Sequence, residues 1–274
     1  MRGEWVLITG AAGGLGSAMA WELAAQGAKL VLTDLHVESM AATVDQARRQ
    51  GVEVICLAHD VSDRNRWTEI ADELTAAGRV PRLLINNAGV AVLGKALDIS
   101  DESWETVIEV DLWGVIHGCR EFVPRMLAKP GPSAVLNVSS CSAYIGLPMS
   151  APYCIAKAGV LRLTQSLQSE IDPKQVTFTC LCPGAVHTGI WASAARLGSG
   201  RPELIDRIAT FANPSRRTPK QVARRAIEGA LAGRAVVNVY GEAWLLDMMA
   251  RLLPHQWLSW VNRRLFKWKF PELL

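Results

Sequence analysis

The amino-acid sequence predicts an α/β fold, a mostly parallel, doubly wound sheet with helices on both faces and a helical extension at the C-terminus. Three observations carry that expectation. Short apolar runs alternate with helical stretches from Glu4 to about residue 240, the rhythm of strands joined by right-handed crossovers. The first run ends in a glycine-rich turn, TGAAGGLG at 9–16, which opens straight into a helix. Residues 137–157, NVSSCSAYIGLPMSAPYCIAK, then set Tyr153 four residues before Lys157 and thirteen after Ser140.

Taken in order, residues 4–9 (EWVLIT) read as a short buried strand, followed by the turn and a helix from Ser17 to about Gln26 that stops at Gly27. Strand, glycine turn and helix leave backbone room for a dinucleotide pyrophosphate and aim helix-terminal N–H groups at it. A second strand, Ala28–Asp34, ends on a carboxylate eighteen residues past Gly16. There it can accept both ribose hydroxyls of the adenosine half and would repel a 2′-phosphate. Gly13, rather than Lys or Arg, precedes the next motif glycine, so both positions favour NAD over NADP. A helix cap is the alternative role for Asp34.

Residues 37–50 are helical in pattern, 52–58 form a strand leading into His59-Asp60-Val61, and a helix runs through Ala77. Strand 82–86 opens into Asn86-Asn87-Ala88-Gly89, at the carboxyl end where open α/β sheets bind ligands. A long helical stretch, 101–128, carries Asp111, and strand 133–139 delivers Ser140. The Tyr153 helix reaches about Ile171, strand 175–181 ends at Cys182-Pro183-Gly184, and a helix spans 218–232.

On a helix, positions four apart share a face, so Tyr153 and Lys157 would present a hydroxyl and an ammonium side by side. The ammonium favours the phenolate, which makes a general base of the tyrosine near neutral pH. The Ser140 hydroxyl could hold the oxygen of an alcohol or carbonyl substrate.

Composition narrows the class. The chain has 274 residues, half of them apolar and a fifth charged, and a net charge of +3, too small to argue for nucleic acid. Six scattered cysteines without a CxxC pair imply a reducing compartment and no metal cluster. The N-terminus runs straight into a strand, leaving no room for a signal peptide, and no 18-residue window is uniformly apolar. A cytoplasmic protein is expected. The five histidines show no ligand spacing, and the basic cluster Arg216-Arg217, Lys220, Arg224-Arg225 reads as a solvated face.

TGAAGGLG, Asp60-Val61, NNAG, Ser140, Tyr153xxxLys157 and PGAVHT (183–188) together resemble the short-chain dehydrogenase/reductase family, in its order and spacing, from residue 4 to about 240. The resemblance implies one Rossmann-like catalytic domain, 1–240, with a seven-stranded sheet. Its implied roles are Ser140 orienting the substrate oxygen, Tyr153 as general acid/base, and Lys157 lowering the pKa of Tyr153 and binding the nicotinamide ribose. Gly10, Gly13, Gly14, Leu15 and Gly16 would form the pyrophosphate turn. Asp60 and Val61 would hold the adenine, Asn87 would lie along the cofactor, and Val186 and Thr188 would meet the nicotinamide amide.

Asp111 departs from the family, which usually has asparagine there to hold a proton-relaying water, partly through its backbone. An ionised Asp111 near Lys157 would damp the lysine's effect on Tyr153. A tolerated substitution with little kinetic effect is the preferred expectation. In family terms residues 185–217 form the substrate loop. Ile190, Trp191, Leu197, Leu204 and Ile208 in it, with Cys141, Tyr144, Ile145, Leu147 and Met149 around Ser140, suit a hydrophobic alcohol or ketone, steroid-, retinoid- or lipid-like.

The tail, 241–274, is the unusual part. It reads as two short amphipathic helices broken at Pro254, with Trp244, Leu245, Met248 and Leu252 on one face and Trp257, Leu258, Val261 and Leu265 on the other helix's face. From Arg251 to Phe270 there are five Lys/Arg and no acid. An anionic membrane surface suits that pattern; a dimer interface or a lid over the substrate pocket suits it equally. The expected function is hydride transfer between NAD and a secondary alcohol or ketone without a metal, in a homodimer or homotetramer. The alternative is a catalytically silent NAD-binding sensor or interaction module.

Overall fold

The computed structural model describes residues 1–184, Ile190 and residues 218–269. Seven parallel strands form one sheet in the order β3-β2-β1-β4-β5-β6-β7, which makes the fold Rossmann-like. They are β1 Trp5–Thr9, β2 Lys29–Asp34, β3 Val54–Ala58, β4 Leu83–Asn86, β5 Ser133–Val138, β6 Val176–Pro183 and β7 Val236–Val239. The order reverses between β1 and β4, and that crevice at the carboxyl ends is where such sheets bind ligands.

Apolar residues on alternate positions of the strands feed two cores, one on each face. Val6, Ile8, Leu30 and Leu32 pack with helices α1 (Gly14–Ala25), α2 (Ala41–Arg48) and α7 (Pro219–Leu231). Trp5, Leu7, Val31 and Leu84 pack with α3 (Arg64–Ala76) and α5 (Gly114–Leu127) on the other face. Helix α6 (Ala151–Glu170) adds Val160 to that second core.

Three boundaries differ from the sequence expectation for physical reasons. Helix α1 begins at Gly14, not Ser17, because the glycine turn itself winds into the first helical turn. The helical stretch from residue 101 is α4 (Asp101–Ile108) and α5 joined by a π segment, Glu109–Trp113, which widens the backbone at Asp111. The helix expected over 37–50 opens with a 3-10 turn, Val37–Met40.

Two further helices follow β7, α8 (Gly241–Leu252) and α9 (His255–Lys269), with the break at Pro254. The expected apolar faces do not both turn inward. Trp244, Leu245 and Leu252 are exposed, and in α9 Leu258 is buried while Trp257 beside it is exposed. The side chain of Leu265 lies outside the described residues. No described helix is long and apolar enough to cross a membrane.

Candidate active site

The glycine turn is shaped by close backbone approach. Gly10 has φ +65°, and a Cβ there would sit 2.8 Å from the Ala88 Cα. A Cβ on Gly16 would collide with the Gly10 carbonyl oxygen and the Asn87 amide. Gly13, by contrast, faces open space. Gly13 caps α1 without a side-chain acceptor, and no acid stands in the first helical turn, where Gly14, Leu15 and Gly16 lie. Those first N–H groups are left for an anionic ligand. Asp34, at the tip of β2, turns its carboxylate onto the turn, where Oδ2 accepts from the Ala12 N–H at 2.8 Å and Oδ1 from Leu35 at 2.9 Å. The cap of the following 3-10 turn is His36, so Asp34 is not a helix cap. An open cradle, a bare helix start and a carboxylate at its edge fit a dinucleotide.

Asn87 sits between β4 and the turn. Its amide donates to the carbonyls of Thr9 (2.8 Å) and Gly10 (3.0 Å), so its side chain braces the cradle. Asp60 accepts from the backbone and hydroxyl of Ser62. Val61 is buried and packs against Gly114 at the start of α5. Val186 and Thr188, and with them residues 185–217 except Ile190, lie outside the described residues. The expected lining by Trp191, Leu197, Leu204 and Ile208 is among them.

Ser140 follows β5 and caps a short 3-10 turn, its Oγ accepting from the Ser142 N–H at 3.2 Å. Tyr153 lies in the first turn of α6, and Lys157 one turn on. The Lys157 Nζ is 5.5 Å from the centre of the Tyr153 ring, so the helix does bring the two together. That ammonium has a closer partner. Its Nζ lies 2.9 Å from Asp111 Oδ2, both side chains being buried, and donates to the Val138 carbonyl at 3.1 Å. The other Asp111 oxygen accepts from the Val90 N–H at 2.7 Å.

The Asp111 carboxylate thus ties the loop after β4 to Lys157. The sequence preferred a tolerated substitution here over a charge that damps Lys157; the geometry puts the carboxylate in the site, against the Lys157 ammonium. The Val90 N–H and the Val138 carbonyl were missed from sequence, since main-chain groups carry no residue-type signal. Burial raises the Asp111 pKa against the pull of Lys157. Tyr153 is held well above the ordinary phenol value, first by burial and then by the Asp111 charge, with the Ser140 hydroxyl opposing. The lowering expected from Lys157 does not prevail, and Tyr153 rests as a neutral acid.

Around the tyrosine, Ala91, Leu93 and Ile190 form one apolar cluster, and Val92, Val107 and Ala156 a second. Met149 has φ +66° and accepts from the Gly94 N–H, which pins the loop before α6. Tyr144 and Ile145 follow Ser140 in the chain. With Cys154, Ile155, Leu258 and Asn262 they line a cavity of about 340 Å³ between the loop after Ser140 and helix α9. His59 is buried and neutral, its pKa lowered to about 4 by desolvation and Arg66. No group of metal-ligating side chains occurs among the described residues.

The model of the short chain dehydrogenase family matches residues 4–196. SadH, an oxidoreductase of Mycobacterium tuberculosis, is 32% identical over 259 residues, covering 92% of this chain and 91% of that one. EphD, an oxidoreductase of Mycobacterium bovis, is 30% identical over 257 residues, 91% of this chain; the chain spans only 43% of that relative's length. A solved short chain dehydrogenase/reductase from Burkholderia phymatum, in complex with NAD, has a TM-score of 0.82 at 31% identity over 92% of each chain.

Proposed function

The chain belongs to the short-chain dehydrogenase/reductase family, oxidoreductases that use a nicotinamide cofactor, and from that premise we propose that it acts on a hydrophobic secondary alcohol or its ketone with NAD. The observation that carries the substrate class is the apolar cluster of Ala91, Leu93 and Ile190 packed against the Tyr153 ring. Apolar packing of this kind leaves one polar task, holding the reacting oxygen, to Ser140 and Tyr153.

The cofactor supplies or accepts the hydride at the substrate carbon. Gly10, Gly13, Gly14, Leu15 and Gly16 would hold its pyrophosphate, Asp34 the adenosine ribose, Asp60 and Val61 the adenine end, and Lys157 the second ribose. Val186 and Thr188 complete the proposed set. Ser140 orients the substrate oxygen. In reduction Tyr153 gives its phenolic proton to that oxygen as the alcohol forms; in oxidation it takes the proton back. Lys157 supports the phenolate that is left, and Asp111 sets how strongly it can.

Asp34 is the basis for NAD over NADP, because a 2′-phosphate would meet a like charge. Asp34→Ala is expected to narrow or reverse the ratio of kcat/KM values for the two cofactors, and equal values in the parent would remove the preference. We read the chain as a cytoplasmic homo-oligomer, with catalytic domain 1–240 and a tail that touches a membrane from one side. The deciding measurement is turnover of a panel of hydrophobic alcohols and ketones with both cofactors. Cofactor binding without turnover of any of them would replace the enzyme by a silent sensor module.

A further inference from the structure

Helices α8 and α9 each have an inner and an outer side. On the inner side, Ala243 and Leu258 are buried, and Asn262 donates its amide to the Gly146 carbonyl in the loop after Ser140. Asp247 accepts from Asn238, whose other end accepts from the Tyr144 hydroxyl at 2.8 Å. The two helices are therefore fixed to the body beside the candidate active site. Only one side of each is used for that.

The outer side is aromatic. Trp257, Trp260 and Trp268 are 60%, 53% and 72% exposed, and their spacing of three and eight residues sets them along one stripe of α9 with Arg264. Arg264 stacks over the Trp260 ring at 5.1 Å, and Trp257 meets Trp260 edge-on at 6.2 Å. Trp244, Leu245 and Leu252 extend the exposed apolar surface along α8. Arg263 and Lys267 flank the stripe, both exposed.

We propose that this outer face docks on the surface of an anionic lipid bilayer. Charge complementarity chooses the occupant. Residues 251–270 hold five Lys/Arg and no acid; Arg251 pairs with Asp247 on α8, and Arg263, Arg264 and Lys267 are exposed on α9. A two-fold contact between copies of the same face would press cation on cation, which is unfavourable. An apolar protein groove would satisfy the tryptophans but leave the arginines to be desolvated. Indole rings favour the water–lipid boundary, and basic side chains beside them meet anionic headgroups. The helices lie on the membrane and do not enter it, since neither is long and apolar enough to span it. Docking holds the loop after Ser140 at the boundary where a lipid-dissolved substrate resides. That consequence alone rests on the proposed substrate class.

The test is co-sedimentation of the full chain with vesicles of phosphatidylcholine alone or mixed with phosphatidylglycerol, at low and high salt. The two variants are Arg263→Glu/Arg264→Glu/Lys267→Glu and Trp257→Ala/Trp260→Ala. All five side chains are exposed, so melting temperatures should stay near the parent's, and binding is read without any turnover. The parent should pellet with the mixed vesicles and much less with the neutral ones. High salt or charge reversal should weaken partitioning by about a hundredfold or more. The double tryptophan variant should weaken it at least tenfold. A parent that stays in solution, or that pellets equally with neutral vesicles, overturns the proposal. So does a charge-reversed chain that binds like the parent, or one whose oligomer falls apart in light scattering while lipid binds neither form.

Discussion

An ammonium lowers the pKa of a nearby phenol only with charge that no closer anion offsets, and in this site Asp111 is closer. Lys157 stands 2.9 Å from its carboxylate and 5.5 Å from the centre of the Tyr153 ring. Replacing Asp111 by asparagine keeps an acceptor for the Val90 N–H and removes the negative charge. The phenolate of Tyr153 then becomes easier to form, so its pKa falls. In alcohol oxidation, where Tyr153 must take a proton, the acidic limb of kcat/KM should move to lower pH by about one unit. Superimposed profiles for Asp111→Asn and the parent would return the position to its backbone. Tyr153→Phe should cut kcat by about a hundredfold or more while cofactor affinity holds, because the ring still packs but cannot carry a proton. Steady-state rates and a fluorescence titration separate the two effects; activity within a few-fold of the parent removes Tyr153 from the chemistry. The Ser140, Tyr153 and Lys157 set was legible because helical spacing and a strand end announce it. The Asp111 charge beside Lys157 was also readable, from the departure at that position, but its hold on the Val90 N–H was not, since that depends on the π segment and on a main-chain donor twenty-one residues away.

At the scale of elements, the glycine turn separates what the fold needs from what a ligand needs. Gly16 is required by the fold, because any side chain there would strike the Gly10 carbonyl. Gly13 meets nothing within 4 Å and its φ of −159° suits any residue. Gly13→Ala should therefore leave the melting temperature within a few degrees of the parent's. If the pyrophosphate lies over the turn, the added methyl intrudes on it, and cofactor affinity should fall by about tenfold or more. Intrinsic tryptophan quenching by the cofactor reads that loss, and unchanged affinity would move the pyrophosphate elsewhere. Strand β7, Val236–Val239, was expected only through the family's seven-stranded sheet, while the other six were legible from their apolar runs, with ends off by one or two residues. The start of α1 was not, because glycine is a poor helix former in water and the sequence places it in the turn. Its helical role appears only when packing sets Gly16 against the Gly10 carbonyl and Asn87.

The whole molecule is a sheet between two cores, and the alternation of strands and helices makes that architecture readable in the sequence. What the alternation could not show is how the tail sits, since periodicity gives a face but not the surface it meets. It likewise could not show that His59 closes the end of one core. His59 is buried at the tip of β3, with Nδ1 3.1 Å from the Thr33 hydroxyl and its ring edge-on to Trp67 at 4.4 Å. The charged groups nearest in effect are Arg66, which opposes protonation, and Asp60 and Asp63, which favour it less strongly than burial disfavours it. The folded state holds the imidazole neutral down to about pH 4, against about 6.5 when the chain is unfolded. Above pH 6.5 neither state binds the proton and the contribution is whole. As pH falls through 6.5 the unfolded chain takes the proton first, so stability drains until the folded value near 4 is reached. The full difference is about 3 kcal/mol, much of the usual margin for a single domain. Urea unfolding followed between pH 7.5 and 4 should show this decline. His59→Asn, which can still meet the Thr33 hydroxyl but cannot ionise, should start less stable through lost packing on Trp67 and then decline with a visibly shallower slope. Parallel slopes for the two proteins would place the acid sensitivity in the carboxylates and not in this histidine.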